Sequence, residues 1–152
     1  MKLRFAEPKE ITAIYRMYSD YQGVEMASIG LKFDAVRLMQ EVEDMVKSKA
    51  VFVGESDGKM IGAVAGYLIP SGCTPDVFFQ TKFFYVCPEY RHKTPQFIRE
   101  LMEFLKSTPA TKLIIASPSY APEGLNRFFK INGGVEVERH FMWPVEREVV
   151  HA

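Results

Sequence analysis

The chain has 152 residues, of which 47% are hydrophobic and 25% are charged. This is the size and composition of one soluble globular domain, so we expect a single domain over residues 1–152. The 19 Lys and Arg residues balance the 19 Asp and Glu residues. This neutrality argues against a nucleic-acid partner, because a broad nucleic-acid-binding surface needs clustered positive charge.

The sequence shows no membrane or secretion signal. Residues 1–5 include Lys2 and Arg4 and lack the apolar core of a signal peptide. No run approaches the roughly 20 apolar residues that cross a bilayer. The two cysteines, Cys73 and Cys87, lack metal-ligand spacing and are too few for a disulfide framework. We therefore expect a cytoplasmic protein with reduced thiols, no membrane partner and no metal.

The first third of the chain predicts one short strand, at residues 3–5, and two helices. Apolar residues recur at helical spacing over residues 11–21, and Gly23 can close this helix. Asp34 is a suitable N-cap for a second helix that runs to about Lys47. The apolar face of the second helix is predicted to consist of Val36, Met39, Val42, Met45 and Val46.

The middle of the chain predicts three consecutive strands, and therefore an antiparallel meander. The first strand, residues 50–55, is joined to the second, residues 60–68, by an Asp-Gly pair that favours the positive φ angles of a tight turn. After a loop at residues 70–75, residues 77–86 form the longest strand, which is rich in Phe and Tyr. Pro88 ends it.

The last third of the chain alternates helices and strands. A helix at residues 96–106 precedes residues 112–116, a short apolar strand that we expect at a buried central position. A helix opening at residues 122–123 ends at Gly133-Gly134, and residues 135–142 alternate as a final strand. The order β-α-α-β-β-β-α-β-α-β, with a right-handed parallel crossover, predicts an α/β (α+β) fold. Its sheet is mixed, mostly antiparallel and flanked by helices.

The most specific motif lies at the end of the longest strand. Val86, Pro88, Tyr90 and Arg91 match an apolar-Val-x-Pro-x-Tyr/Trp-Arg sequence. Together with the meander and the late crossover, they resemble the acyl-CoA N-acyltransferase (GNAT) superfamily, best over residues 51–137. In that family a loop of the form Arg/Gln-x-x-Gly-x-Gly/Ala follows and enters a helix. Its backbone N–H groups converge on the pyrophosphate of a CoA thioester.

The resemblance implies acetyl-CoA, or another acyl-CoA, as co-substrate. Backbone near Phe84, Tyr85 and Val86 would pair with the arm of the cofactor, in a slot left where this strand diverges from the next. The residues that would meet the phosphates are Arg91, His92, Lys93, Thr94, Pro95 and Gln96. Thr94 and Gln96 replace the motif glycines and would crowd a phosphate, and Pro95 has no amide donor. A plain strand–loop–helix junction with a solvated basic turn is the alternative.

The resemblance leaves the proton donor open. Residues 125–134 resemble the end of the family's last helix, where a tyrosine often protonates the departing CoA thiolate. Phe129 stands at that position and cannot donate a proton. Tyr120 is the best replacement, and Glu55, at a strand end, could act as base. The alternatives are an exposed loop tyrosine and a solvated acid. Tyr67 and Tyr85 are strand tyrosines whose direction the sequence does not fix, and most such tyrosines simply pack a half-buried surface.

Two classes of function remain at this point. The first is an N-acetyltransferase that moves an acyl group from an acyl-CoA to the amine of a small molecule or a protein. The second is a non-catalytic GNAT-like binding or structural module that has lost CoA, which Thr94, Gln96 and Phe129 favour. An acyltransferase acting on nucleic acid is disfavoured by the neutral charge. Residues 77–84 carry more aromatic side chains than one buried face needs, and a homodimer contact or a groove wall could use the surplus.

Overall fold

The computed structural model describes residues 1–116 and 123–145. They belong to two compact units, residues 1–120 and 121–152, which are described in turn. The strands of the first unit are β1 (Lys2–Phe5), β2 (Val51–Ser56), β3 (Lys59–Pro70), β4 (Val77–Val86) and β5 (Lys112–Ile114). Its helices are α1 (Ile11–Ser28), α2 (Ala35–Lys47) and α3 (Thr94–Leu105). The prediction of a single domain stays a prediction.

The five strands form one sheet in the order β1-β2-β3-β4-β5. The first three pairings are antiparallel, and β5 runs parallel to β4 after α3. The predicted mixed, mostly antiparallel sheet and its meander are therefore confirmed. The predicted central position of residues 112–116 is wrong for the described residues, because β5 lies at the edge of their sheet. Its apolar character reflects packing of Leu113 against the α3 side of the sheet, and such packing does not require a strand on both sides.

Local sequence signals account for most element boundaries. Asp57 and Gly58 have φ angles of 53° and 74° and form the predicted tight turn between β2 and β3. Asp34 caps α2, where its Oδ1 accepts a hydrogen bond of 3.1 Å from the Arg37 N–H. The predicted end of α1 at Gly23 is wrong, since the helix continues to Ser28. Glycine permits a helix to stop without requiring it.

The sheet carries a buried cluster on each face. On the α1–α2 face the fully buried side chains include Ile14, Tyr18, Val42, Val53 and Phe83. On the α3 face the buried side chains include Phe52, Val64, Phe79, Phe97 and Leu101. Two covered faces account for the aromatic surplus of β4, so the homodimer stays a prediction without support from that surplus. The predicted α2 face is wrong at Val36, which is 68% exposed, because the stripe is set by Leu38, Val42, Met45 and Val46.

An ion-paired arginine ties β1 to β2 and to the start of α1. The Arg4 guanidinium donates to both carboxylate oxygens of Glu10, at 2.6 and 3.0 Å. It donates twice more to Glu55 Oε2, at 2.9 and 3.1 Å. The Glu10 side chain is only 12% exposed. Hydrogen bonding from Arg4 lowers the pKa of Glu10 below its ordinary value of 4.5.

We expect Glu10→Gln to lower the free energy of unfolding by about 1.5–3 kcal/mol at neutral pH, the range for hydrogen bonds to charged groups. The pKa of Glu10 is lower in the folded chain than in the unfolded chain. Its stabilisation is therefore present above the unfolded pKa and is lost as the pH falls through the folded pKa. Urea unfolding at neutral pH and in acid should show the effect shrinking in acid. Glu103→Gln, which removes an exposed partner of Lys106, should change little at either pH. An equal loss for Glu10→Gln at both pH values would contradict this role.

The second unit contains helix α4 (Glu123–Ile131). Gly133, with φ 86°, and Gly134, whose N–H donates to Phe129 O at 2.9 Å, end it as predicted. The predicted final strand at residues 135–142 is wrong, because these residues form no regular element. Alternation of side chains gives only a local preference, and a strand also needs a partner for its backbone. No helix among the described residues has the length and apolar content to cross a bilayer.

Candidate functional site

Strand β4 extends beyond the strand beside it. β5 lies opposite only Phe78, Phe79 and Gln80. One further contact follows, from the Ala116 N–H to Thr81 Oγ1 at 3.1 Å. Within residues 1–116, β4 therefore has no strand partner on this side over residues 82–86. We call the backbone of residues 84–86 on this side the open edge.

The backbone direction along β4 follows from one hydrogen bond. The Cys87 N–H donates to Ile61 O of β3 at 2.9 Å. Because backbone groups alternate along a strand, those of Tyr85 also face β3, while those of Phe84 and Val86 face the open edge. A register shift pairs Ala65 with Phe83 and Gly66 with Thr81. Lys82 is thus the extra residue of a β-bulge beside the open edge.

The turn after β4 is a 3-10 helix, Pro88–Lys93, which we call the basic turn. The Tyr90 N–H donates to Cys87 O at 2.8 Å, and the Thr94 N–H donates to Arg91 O. Such a helix uses its own amides in i to i+3 bonds. The expectation that this turn presents free amides to a phosphate is therefore wrong at Tyr90 and Thr94.

The side chains of the basic turn also differ in direction. The Lys93 Nζ donates to Ser56 Oγ at 2.9 Å and lies 5.9 Å from the centre of the Tyr90 ring. This ammonium is held against the end of β2. The side chains of Arg91 and His92 are exposed. Those of Thr94 and Gln96 are half-buried at the start of α3, and Pro95 between them has no N–H.

No family model matches the sequence, and no curated protein matches it. Solved structures do match. A possible acetyltransferase from Clostridium difficile 630 is 12% identical with a TM-score of 0.72, covering 96% of this chain and 98% of its own. A ribosomal-protein-alanine N-acetyltransferase from Brucella melitensis biovar Abortus 2308 is 15% identical with a TM-score of 0.70, covering 95% and 100%. A transcriptional regulator from Bacillus halodurans C-125 is 12% identical with a TM-score of 0.72, covering 95% and 99%. The chain has the GNAT fold. Identities this low carry the fold and leave the activity open.

A CoA thioester fits this GNAT fold only in part. The open edge offers the backbone groups of Phe84 and Val86 to an amide-bearing arm. In the basic turn, in contrast, the Tyr90 N–H is bonded internally, and the Thr94 N–H at the start of α3 is bonded back to the turn. The pairing of the thioester arm with the backbone of residues 84–86 stays a prediction. The amides of Tyr90 and Thr94, which were expected to bind the diphosphate, are already hydrogen-bonded within the chain.

The predicted catalytic residues of the GNAT fold do not form one site among the described residues. Glu55 binds Arg4 through two hydrogen bonds to its Oε2, so this oxygen is occupied. Tyr120 lies outside the described residues. Phe129 lies in α4, where its ring is 5.9 Å from that of Phe128. The structure fixes the direction of the Tyr85 side chain, which packs against the cluster on the α1–α2 face. Burial raises the pKa of Tyr85 above its usual range.

A cavity of about 900 Å³ lies beside β4 on the α1–α2 face, and we call it the α2 cavity. Its lining includes Tyr18, Glu41, Tyr67 and Lys82. The bulge residue Lys82 forms an ion pair with Glu41, and the Tyr18 side chain lines the same cavity. Burial raises the pKa of Tyr18, so this hydroxyl keeps its proton. The cavity places polar groups and an aromatic wall near the open edge.

The sequence interpretation missed the α2 cavity. One local signal exists, because Lys82 is the one charged residue in the otherwise largely apolar stretch 77–86. Its partner Glu41 is distant in sequence and gives no signal of its own. No group of three or more His, Cys, Asp or Glu side chains in residues 1–116 and 123–145 could hold a metal ion.

Proposed function

We propose that the chain is an N-acyltransferase that moves an acyl group from an acyl thioester, with acetyl-CoA as the predicted donor, to an amine. The observation that carries this proposal is the open edge. The backbone of Phe84 and Val86 faces away from β3, and β5 lies beside β4 no further than Gln80. An extended thioester arm with its own amides can add to such an edge as a strand does.

The chemistry requires few groups from the protein. The amine nitrogen attacks the thioester carbonyl, so that a C–N bond forms and the C–S bond breaks. The amine gives up one proton and the leaving thiolate takes one. Tyr85 lies between Phe84 and Val86 in β4, and its hydroxyl is protonated at neutral pH, since the ordinary tyrosine pKa of about 10 lies well above 7 and burial raises it further. We assign it as the donor of the proton to the thiolate.

The acceptor amine would enter through the α2 cavity. The cavity opens on the same face of the sheet as the Tyr85 side chain. Its volume lies within the range of small-molecule sites, about 300–1,000 Å³. Tyr67 supplies an aromatic wall, and the ion pair of Glu41 with Lys82 supplies polar groups at the cavity wall. The amine of a small molecule or of a protein chain end fits this description.

Release of free thiol from acetyl-CoA, measured with a panel of amines, tests the proposal. We expect amine-dependent release and a kcat about 10²-fold lower for Tyr85→Phe, with little change in KM. Tyr15→Phe, which changes another half-buried tyrosine of the same core, is the matched control and should keep the native kcat. No amine-dependent release, with no thermal stabilisation by millimolar acetyl thioester, would overturn the proposal.

A non-catalytic module that has lost CoA is the second candidate. The internal hydrogen bonds of the basic turn at Tyr90 and Thr94 favour it. Phe129, at the position where the family often has its acid, favours it as well. This candidate predicts that acetyl-CoA changes the thermal stability of neither the native chain nor the Tyr85→Phe variant.

A further inference from the structure

A CoA thioester would meet two parts of this fold, and the two parts differ in what they offer. Its acylated pantetheine arm would lie along the open edge, and its nucleotide diphosphate would lie at the basic turn. The open edge keeps the backbone groups of Phe84 and Val86 directed away from β3. At the basic turn, the N–H groups of Tyr90 and Thr94 are already hydrogen-bonded within the chain.

Amide donors are already used or missing at three positions of the basic turn and the start of α3. The Tyr90 N–H is bonded to Cys87 O at 2.8 Å, and the Thr94 N–H is bonded to Arg91 O. Pro95 has no N–H at all. Opening these bonds to receive a phosphate would break a helical turn that runs directly into α3, which begins at Thr94.

The cations of the basic turn do not compensate for the amides. Lys93 is held by Ser56 at 2.9 Å and by the face of the Tyr90 ring. Arg91 and His92 are exposed, and exposed charges interact weakly with a solvated anion. Thr94 and Gln96 place side chains where close approach of a phosphate needs glycine.

Resting on the proposed function, we infer that this chain recognises its acyl donor through the pantetheine arm alone. The donor class is an acyl-pantetheine thioester whose nucleotide is dispensable. Acetyl-pantetheine and acetyl-CoA are then equivalent donors. The nucleotide half, 3′-phospho-ADP, does not compete with either of them.

Calorimetric titration with acetyl-CoA, acetyl-pantetheine and 3′-phospho-ADP tests the inference. We expect dissociation constants for the two thioesters within about threefold of each other, and no heat from 3′-phospho-ADP. Acetyl-CoA binding more than about tenfold tighter than acetyl-pantetheine would overturn the inference and leave the proposed function standing. Failure of both thioesters to bind would overturn the inference and the proposed function together.

The variant Arg91→Gln provides a second readout. It removes an exposed cation of the basic turn and should leave the ratio of the two dissociation constants unchanged. Arg99→Gln, which changes an exposed arginine within α3, is the matched control. A loss of affinity of about fivefold or more for acetyl-CoA, without a loss for acetyl-pantetheine, would show that the turn binds the nucleotide and would overturn the inference.

Discussion

Phe97→Ala is expected to lower the free energy of unfolding by about 3–5 kcal/mol, the range for truncating a buried phenylalanine. Phe97 lies in the first turns of α3 and has no exposed surface. Its ring packs edge-on against Phe84, with the ring centres 5.4 Å apart. It also fills the space above Gly54 and Gly62, where an added Cβ would lie 2.4 and 3.2 Å from its Cε2.

The size of this effect follows from the fit around the ring. Glycines on two neighbouring strands leave a recess for Phe97, and the backbone there has no side chain that could move in to fill a cavity. Urea unfolding followed by circular dichroism measures the change. Met102→Ala removes a half-exposed side chain from the same helix and should cost less than about 1 kcal/mol. Similar losses for the two variants would contradict the packing described here.

The elements were predictable where a signal acts over a few residues. The carboxylate of Asp34 caps α2 through the N–H three residues later, and Asp57-Gly58 adopts the positive φ angles of its turn. In both cases the sequence contains the donor, the acceptor or the conformational freedom that the structure uses. The meander followed, because strands joined by short connections pair with their neighbours.

Features that depend on distant partners were not predictable. Val36 has an apolar side chain in the first turn of α2, yet its exposure depends on where the sheet lies under the helix. Residues 135–142 alternate as a strand does, but alternation does not supply a neighbouring backbone. The ion pair between Glu41 and Lys82 joins helix α2 to the bulge in β4. The sequence around either residue does not indicate that the other is its partner.

The candidate site was predictable in position and not in its donors. The residues Val86, Pro88, Tyr90 and Arg91 correctly indicated a strand end and a turn into a helix. The prediction of free amides was wrong at Tyr90 and Thr94 because this turn has no glycine. Of the described residues 87–95, none has a positive φ angle, so the chain continues in right-handed geometry and closes its own hydrogen bonds. The sequence analysis had this signal in part, because Thr94 and Gln96 stand where the motif has glycine and Pro95 has no amide donor.

Gly62→Ala is expected to lower the free energy of unfolding by about 1–3 kcal/mol, because the added methyl overpacks the pairing of β3 with β4. A Cβ at Gly62 would lie 2.5 Å from Tyr85 O and 3.1 Å from Val86 Cα. Both neighbours are backbone atoms, which cannot rotate away as a flexible side chain can. Gly72→Ala is the control, since a Cβ there would meet nothing within 4 Å.

The same substitution should also act on the open edge. Relief of the clash requires Tyr85 and Val86 to move away from β3, toward the side on which the thioester arm is proposed to bind. A displacement of this kind near a reacting group costs about 10²-fold in rate. Thiol release by the folded Gly62→Ala variant, measured below its unfolding temperature, should therefore fall far more than release by Gly72→Ala. Equal rates of thiol release by the folded Gly62→Ala and Gly72→Ala variants would contradict this role. A shift of the Val86 backbone would then have no effect on the reaction, so that backbone would not position the donor.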